Sequence, residues 1–230
     1  MNFRIIAYII GWVCNFQAAF MLLPAVTAII YWEKDLFAFL ISMVICLSVG
    51  IPLTLRKPKN KVFYIKDGCV AVALSWIALC ITGALPFWLT SSIPHPIDAL
   101  FETVSGFTTT GASILTDVEV LPHSVLIWRS FTHWIGGMGV LVFLLSLLPL
   151  TGGYHMNLMK AESPGPSVSK LVPKVQSTAK ILYTIYIGMT LLQIILLLIG
   201  RVPLFDTLCI SFGTAGTGGF GIKNDSMGGY

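Results

Sequence analysis

The chain has 230 residues, 56% hydrophobic and only 10% charged, with a formal net charge of +4 and a mean hydropathy of +0.85. Soluble domains carry roughly 25% charged residues, so the composition excludes a soluble fold and indicates an integral membrane protein. The positive balance does not indicate nucleic-acid binding, because the lysines lie between apolar runs.

In chain order, the apolar runs are Ile5–Tyr31, Leu36–Leu55, Gly68–Leu89, Val125–Leu150 and Ile181–Ile199. About 20 apolar residues cross a bilayer, so these runs predict five full spans. The first run is too long for a signal-peptide core and lacks a clean small-residue cleavage site, so it is expected to be retained. The cysteines (Cys14, Cys46, Cys69, Cys80 and Cys209) lie in or beside the runs and are odd in number, which argues against a disulfide framework.

Basic residues set the orientation. Arg4, the cluster Arg56, Lys57, Lys59, Lys61 and Lys66, and the group Lys160, Lys170, Lys174 and Lys180 are assigned to the cytoplasm. The Glu33–Asp35 turn, the Asp117–His123 loop and the segment around Arg201 then lie outside. Two further apolar segments, Ile97–Phe107 and Leu204–Thr214, are about eleven residues each and span roughly half of the hydrocarbon core. Each follows a span that ends outside. Each leads into a polar, glycine-punctuated strip: Phe107–Ser113 (FTTTGAS) and Ala215–Gly221 (AGTGGFG). In both, a proline (Pro96, Pro203) precedes a central glycine (Gly111, Gly218) by fifteen positions.

This organisation predicts an all-α membrane protein built from repeated units of span, pore half-helix, filter and span, like a potassium channel. Residues 1–60 form an N-terminal transmembrane hairpin, 61–155 a first pore repeat, 156–180 a cytoplasmic loop and 181–230 a second, incomplete repeat. Non-helical backbone at membrane depth is tolerated only where protein buries it or water lines it, so the strips are expected to face a pore. Consecutive carbonyls along Thr108–Gly111 and Gly216–Gly219 can replace the water around a dehydrated cation. Glycine supplies the positive φ that lets successive carbonyls point one way, and the half-helix C-termini aim their negative ends toward the ion. One strip cannot surround an ion, so two imply a longer chain or a dimer.

Other residues leave two readings open. Asp98 and Glu102 of the first half-helix are candidate vestibule acids that concentrate cations, or groups that hold the half-helix by capping and hydrogen bonding. Asp206 sits near the relative position of Asp98 in the second copy. Arg129, beside Trp128 and Trp134, reads as an interfacial anchor, or as a partner for Glu102 or Asp117. Gly136, Gly137 and Gly139 serve close helix packing or form a hinge in the pore-lining helix. His95, His123, His133 and His155 show no metal-binding spacing. The Gly/Pro/Ser-rich loop Thr151–Lys180 attracts lipid headgroups or docks a partner. Two competing functions are an intramembrane serine protease, which lacks a GxSxG motif, and a secondary solute transporter with broken helices, which predicts inverted repeats.

FETVSGFTTTGAS (Phe101–Ser113), WRSFTHWIGGMGVLVF (Trp128–Phe143) and KAESPGP (Lys160–Pro166), in that order, resemble the membrane subunit of the Trk/Ktr/HKT superfamily of potassium uptake systems, most closely its bacterial Trk branch. The resemblance implies four non-identical repeats around one pore, homodimerisation, a location in the bacterial inner membrane with the N-terminus cytoplasmic, and gating by a peripheral nucleotide-binding cytoplasmic subunit. It implies potassium as the transported ion, with no organic cofactor in this chain. It places filter glycines at Gly111 and Gly218, and carbonyl donors at Thr109, Thr110, Gly216 and Thr217. A serine in place of the first filter glycine accompanies sodium transport in the superfamily, so Gly111 points to potassium. Relative to the superfamily, repeats three and four, the pore-obstructing loop and the late basic residues lie outside these 230 residues.

Overall fold

The structure, a computed structural model, describes residues 2–56, 58, 64–139 and 175–228. Among them are eight helices and no strand: α1 (Phe3–Phe20), α2 (Leu22–Ile30), α3 (Leu36–Leu55), α4 (Ile65–Leu89), α5 (Pro96–Phe107), α6 (His123–Met138), α7 (Val175–Ile199) and α8 (Leu204–Ala215).

The first apolar run is two helices rather than one. Pro24 has no N–H to donate to the Phe20 carbonyl, and the chain breaks at Met21. α1 packs on α3 and α4, and α2 packs on α6. Polar side chains stitch these contacts, because lipid supplies no hydrophobic drive between apolar helices. Gln17 Nε2 donates to the Leu79 carbonyl at 3.0 Å and its Oε1 accepts from the Thr82 hydroxyl, while Asn15 Nδ2 donates to Thr54 Oγ1 at 3.3 Å. At the opposite end, Asp67 accepts from the backbone N–H of Tyr64 at 3.1 Å, starting α4, and from that of Asn2 at 3.2 Å, tying the first residues down.

Four described helical stretches are long and apolar enough to cross a membrane: Phe3–Ile30, Leu36–Leu55, Lys66–Leu89 and Lys180–Ile199. Large apolar side chains such as Val44 (65% exposed) and Leu196 (59%) point outward, as a lipid-facing surface requires. The fourth expected span, Val125–Leu150, is not one continuous helix. α6 has 16 residues and ends at Gly139, whose φ of +67° closes the last turn; residues 140–150 lie outside the described residues. The loop Thr151–Lys180 lies largely outside them too.

The half-length helices are as short as expected. α5 and α8 have 12 residues each, about 18 Å of rise. Pro96 occupies the first turn of α5 and Pro203 the N-cap of α8, with Asp98 and Asp206 near the positive helix ends. α5 packs between α4 and α6, and α8 packs on α6 and α7.

The N-terminus of α6 is capped from the hairpin. Glu33 accepts from the backbone N–H of His123 at 2.7 Å and of Ser124 at 3.0 Å, and lies 3.1 Å from His123 Nδ1. The Tyr31 ring stacks on His123 at 3.9 Å, with Phe205 of α8 edge-on to both. Burial of Glu33 raises its pKa, but the hydrogen bonds from Ser124 and His123 outweigh burial and leave it below the usual carboxylate value. A lowered pKa stabilises the fold above the ordinary carboxylate pKa, and that contribution is lost as pH falls through the lowered one. Glu33→Ala is expected to cost about 1 kcal/mol, read by thermal unfolding in detergent at neutral pH, and the gap to the parent protein is expected to shrink below about pH 4.

Candidate ion filter

Each half-helix ends in the same hydrogen-bonded turn. In the first, the N–H groups of Thr108, Thr109 and Thr110 donate to the carbonyls of Val104, Gly106 and Ser105 at 2.9, 3.1 and 2.9 Å. In the second, those of Gly216, Thr217 and Gly218 donate to Phe212, Thr214 and Gly213 at 3.1, 2.9 and 3.0 Å. This is the Schellman ending, except that its left-handed residue is a threonine in both copies: Thr109 at φ +55° and Thr217 at φ +58°. A β-branched residue there is strained, and such strain gathers at functional sites. Two positions later Gly111 (φ +76°) and Gly219 (φ +81°) are left-handed again.

This register corrects the expected correspondence. Thr109, Thr110 and Gly111 match Thr217, Gly218 and Gly219, so Gly219 takes the place that proline spacing had given to Gly218, and Gly216 matches Thr108. The reason is local: Pro96 lies inside its helix, whereas Pro203 caps its own, so equal distances from the prolines are not equal helical positions.

The two strips meet. A Cβ on Gly111 would collide with the Gly218 carbonyl oxygen. α6 fills the wedge behind them: a Cβ on Gly136 would strike the Phe107 carbonyl, and one on Gly137 would come within 2.7 Å of the Gly216 Cα. Gly136 and Gly137 therefore sit at close-packing positions, and Gly139 is the helix cap. One residue missed at the sequence level joins them. His133 is fully buried, with Nδ1 2.9 Å from the Gly106 carbonyl, its ring against Gly218 and its own carbonyl against Gly216. Its position one helical turn after Arg129 and before the paired glycines was the available signal.

The strips differ in hydroxyls. Thr108 Oγ1 donates to the Val104 carbonyl at 2.7 Å and lies 2.8 Å from Thr110 Oγ1, so Thr110 donates to Thr108 and keeps its lone pairs free. The matching positions in the second strip are Gly216 and Gly218, where His133 takes the space.

Glu102 and Arg129 lie behind the C-terminal ends of the strips. Glu102 is 1% exposed, so it holds the half-helix and its strip rather than facing a vestibule. It accepts from the Ser113 hydroxyl at 3.0 Å, from the Ile114 N–H at 2.9 Å and from Arg129 Nε at 2.5 Å. Arg129 is 3% exposed and is no interfacial anchor. Its Nη1 donates to the Gly221 carbonyl at 2.8 Å, and its guanidinium lies 3.7 Å over the Phe220 ring. Asp98 and Asp206, by contrast, are half-buried in the first turns of their helices.

A second missed residue, Asn224, ties the segments that follow the strips. Its Nδ2 donates to Asp117 at 2.9 Å and its Oδ1 accepts from the Val118 N–H at 3.0 Å. Among the described residues no group of three His, Cys, Asp or Glu side chains is placed to hold a metal.

The register carries a prediction. Gly219 has open space around its Cα, so Gly219→Ala is expected to cost only the left-handed backbone strain, about 1–2 kcal/mol. Gly218→Ala would strike the His133 ring and is expected to cost more, with partial recovery in the Gly218→Ala/His133→Ala double variant; thermal unfolding of the four proteins forms the cycle.

The sequence and the fold both match known cation transporters. A family profile described as "TrkH: Cation transport protein" matches residues 35–230. The Trk system potassium uptake protein TrkG of Escherichia coli (strain K12) is 36% identical over 229 residues, covering 98% of this chain and 47% of its own length. The Trk system potassium uptake protein TrkH of Salmonella typhimurium is also 36% identical, covering 99% of this chain and 48% of its own. The crystal structure of the potassium transporter TrkH from Vibrio parahaemolyticus superposes with a TM-score of 0.81 at 30% identity, covering 100% of this chain and 46% of that one. The chain thus spans about half the length of these relatives. With the profile matching most of the chain and the same architecture in a solved relative, this chain belongs to the TrkH family of cation transport proteins.

Proposed function

We propose that this chain contributes two of the strips that line a potassium-translocating pore in the bacterial inner membrane, with its N-terminus in the cytoplasm. The observation that carries the reading is the pair of half-helices ending in one hydrogen-bond register, with their strips meeting at Gly111 and the Gly218 carbonyl. Main-chain oxygens from residues 108–111 and 216–219 replace the hydration shell of the ion, and the negative ends of α5 and α8 favour a cation there. The relatives' names supply potassium as the ion. A shared register on helices that enter from the same side supports a pore over a carrier with inverted repeats. The filter needs further strips to surround the ion, supplied by a longer chain or a second copy. The Thr151–Lys180 loop is the expected docking place of a nucleotide-binding cytoplasmic subunit, and homodimerisation and lipid contact belong to the same proposal. The ion is substrate, and no organic cofactor enters the mechanism.

A serine at residue 111 would be left-handed and would press on the Gly218 carbonyl. In cells lacking their own potassium uptake, the full-length protein is expected to restore growth at low potassium. Gly111→Ser is expected to reduce the preference for potassium over sodium at least about tenfold. Uptake of both ions with unchanged preference would remove the filter from the pore.

A further inference from the structure

Resting on this pore reading, the geometry points to Arg129 and Glu102 as positioning residues that set which ion the pore accepts, by fixing the outer ends of both strips to a single buried ion pair. Glu102 belongs to the first half-helix and grips its own strip at Ser113 and Ile114. Arg129 belongs to α6 of the same repeat, yet the carbonyl it holds is that of Gly221, the last residue of the second strip. In the register of the two turns, the residue matching Glu102 is Ile210, which offers the second strip no acceptor. The outer end of the second strip is therefore held by a side chain of the first repeat, and one carboxylate–guanidinium contact links the ends of the two strips.

The pair suits this task. Both side chains are almost fully buried, so salt and water do little to loosen it. A guanidinium presents donors in a rigid fork, and here one arm meets Glu102 and another meets Gly221. The Phe220 ring under the guanidinium fixes its plane. Coordination that distinguishes two monovalent cations depends on the number and placement of carbonyl oxygens, so a shift of one strip against the other changes the selection. A general packing role predicts a different outcome: fewer working molecules with the same choice of ion.

The test measures concentration dependence of potassium and sodium uptake by the full-length protein in cells lacking endogenous potassium uptake, with membrane abundance quantified. The variants are Arg129→Lys, Glu102→Gln and the Glu102→Gln/Arg129→Gln double variant. Glu102→Gln still accepts from Ser113 and Ile114 but loses the charge pair; the double variant leaves no uncompensated buried charge and so folds where the single ones fail. Asn15→Ala, which loses the hydrogen bond to Thr54 between α1 and α3, is the packing control. Expected is a rise in the KM for potassium and a fall in preference over sodium of about tenfold in the pair variants. Asn15→Ala is expected to lower only the maximal rate per cell. Unchanged preference in the double variant, or an equal loss in Asn15→Ala, overturns the inference while leaving the pore reading intact. Absence of potassium uptake by the parent protein overturns both.

Discussion

A peptide group left without a partner in hydrocarbon costs several kcal/mol, so extended backbone at membrane depth survives only inside protein or against water. Two non-helical strips follow the half-helices, and much of the surrounding architecture holds them. The half-helices end in turns that satisfy the first N–H groups after each helix, through bonds to Val104, Gly106 and Ser105 in one copy and Phe212, Thr214 and Gly213 in the other.

α6 is the element that converts two such turns into one site. Gly136 and Gly137 let its backbone come against Phe107 and Gly216, where any side chain would push the strips apart. His133 fills the space that Gly216 and Gly218 leave, and Arg129 reaches past the helix to Gly221. A buried ion pair is weak evidence of stability, since replacing it with apolar residues often costs little, but removing one partner costs about 3–5 kcal/mol. Its value here is geometric: it fixes the distance between two pieces of backbone that share no direct hydrogen bonds among those described.

The N-terminal hairpin is joined to the rest of the chain at both of its ends. At its turn, Glu33 supplies the cap that α6 lacks from its own Pro122, and Tyr31, His123 and Phe205 bring the hairpin, α6 and α8 together. At its N-terminus, Asp67 joins Asn2 to the start of α4. Between them, Gln17 bridges α1 to α4 at Leu79 and Thr82. These polar contacts supply orientation that apolar helix faces alone do not, because lipid and leucine are nearly equivalent solvents for them.

Periodic and local features were legible in the chain. The apolar runs, the half-length segments and the twice-used threonine-glycine strip follow from composition and spacing alone, since bilayer thickness and backbone hydrogen bonding act on any sequence in the same way. The family resemblance, too, rests on short motifs read in order. Three-dimensional neighbours decided the rest. Whether a proline begins or precedes its helix depends on how the preceding turn packs, and this moved the second strip by one residue, from Gly218 to Gly219. Whether Arg129 lies at the interface or inside depends on a carboxylate 27 positions away and a carbonyl 92 positions away. His133 is signalled only by its place between Arg129 and the paired glycines, and Asn224 by nothing local, because their partners are main-chain or surface groups that only the folded arrangement brings within hydrogen-bonding distance.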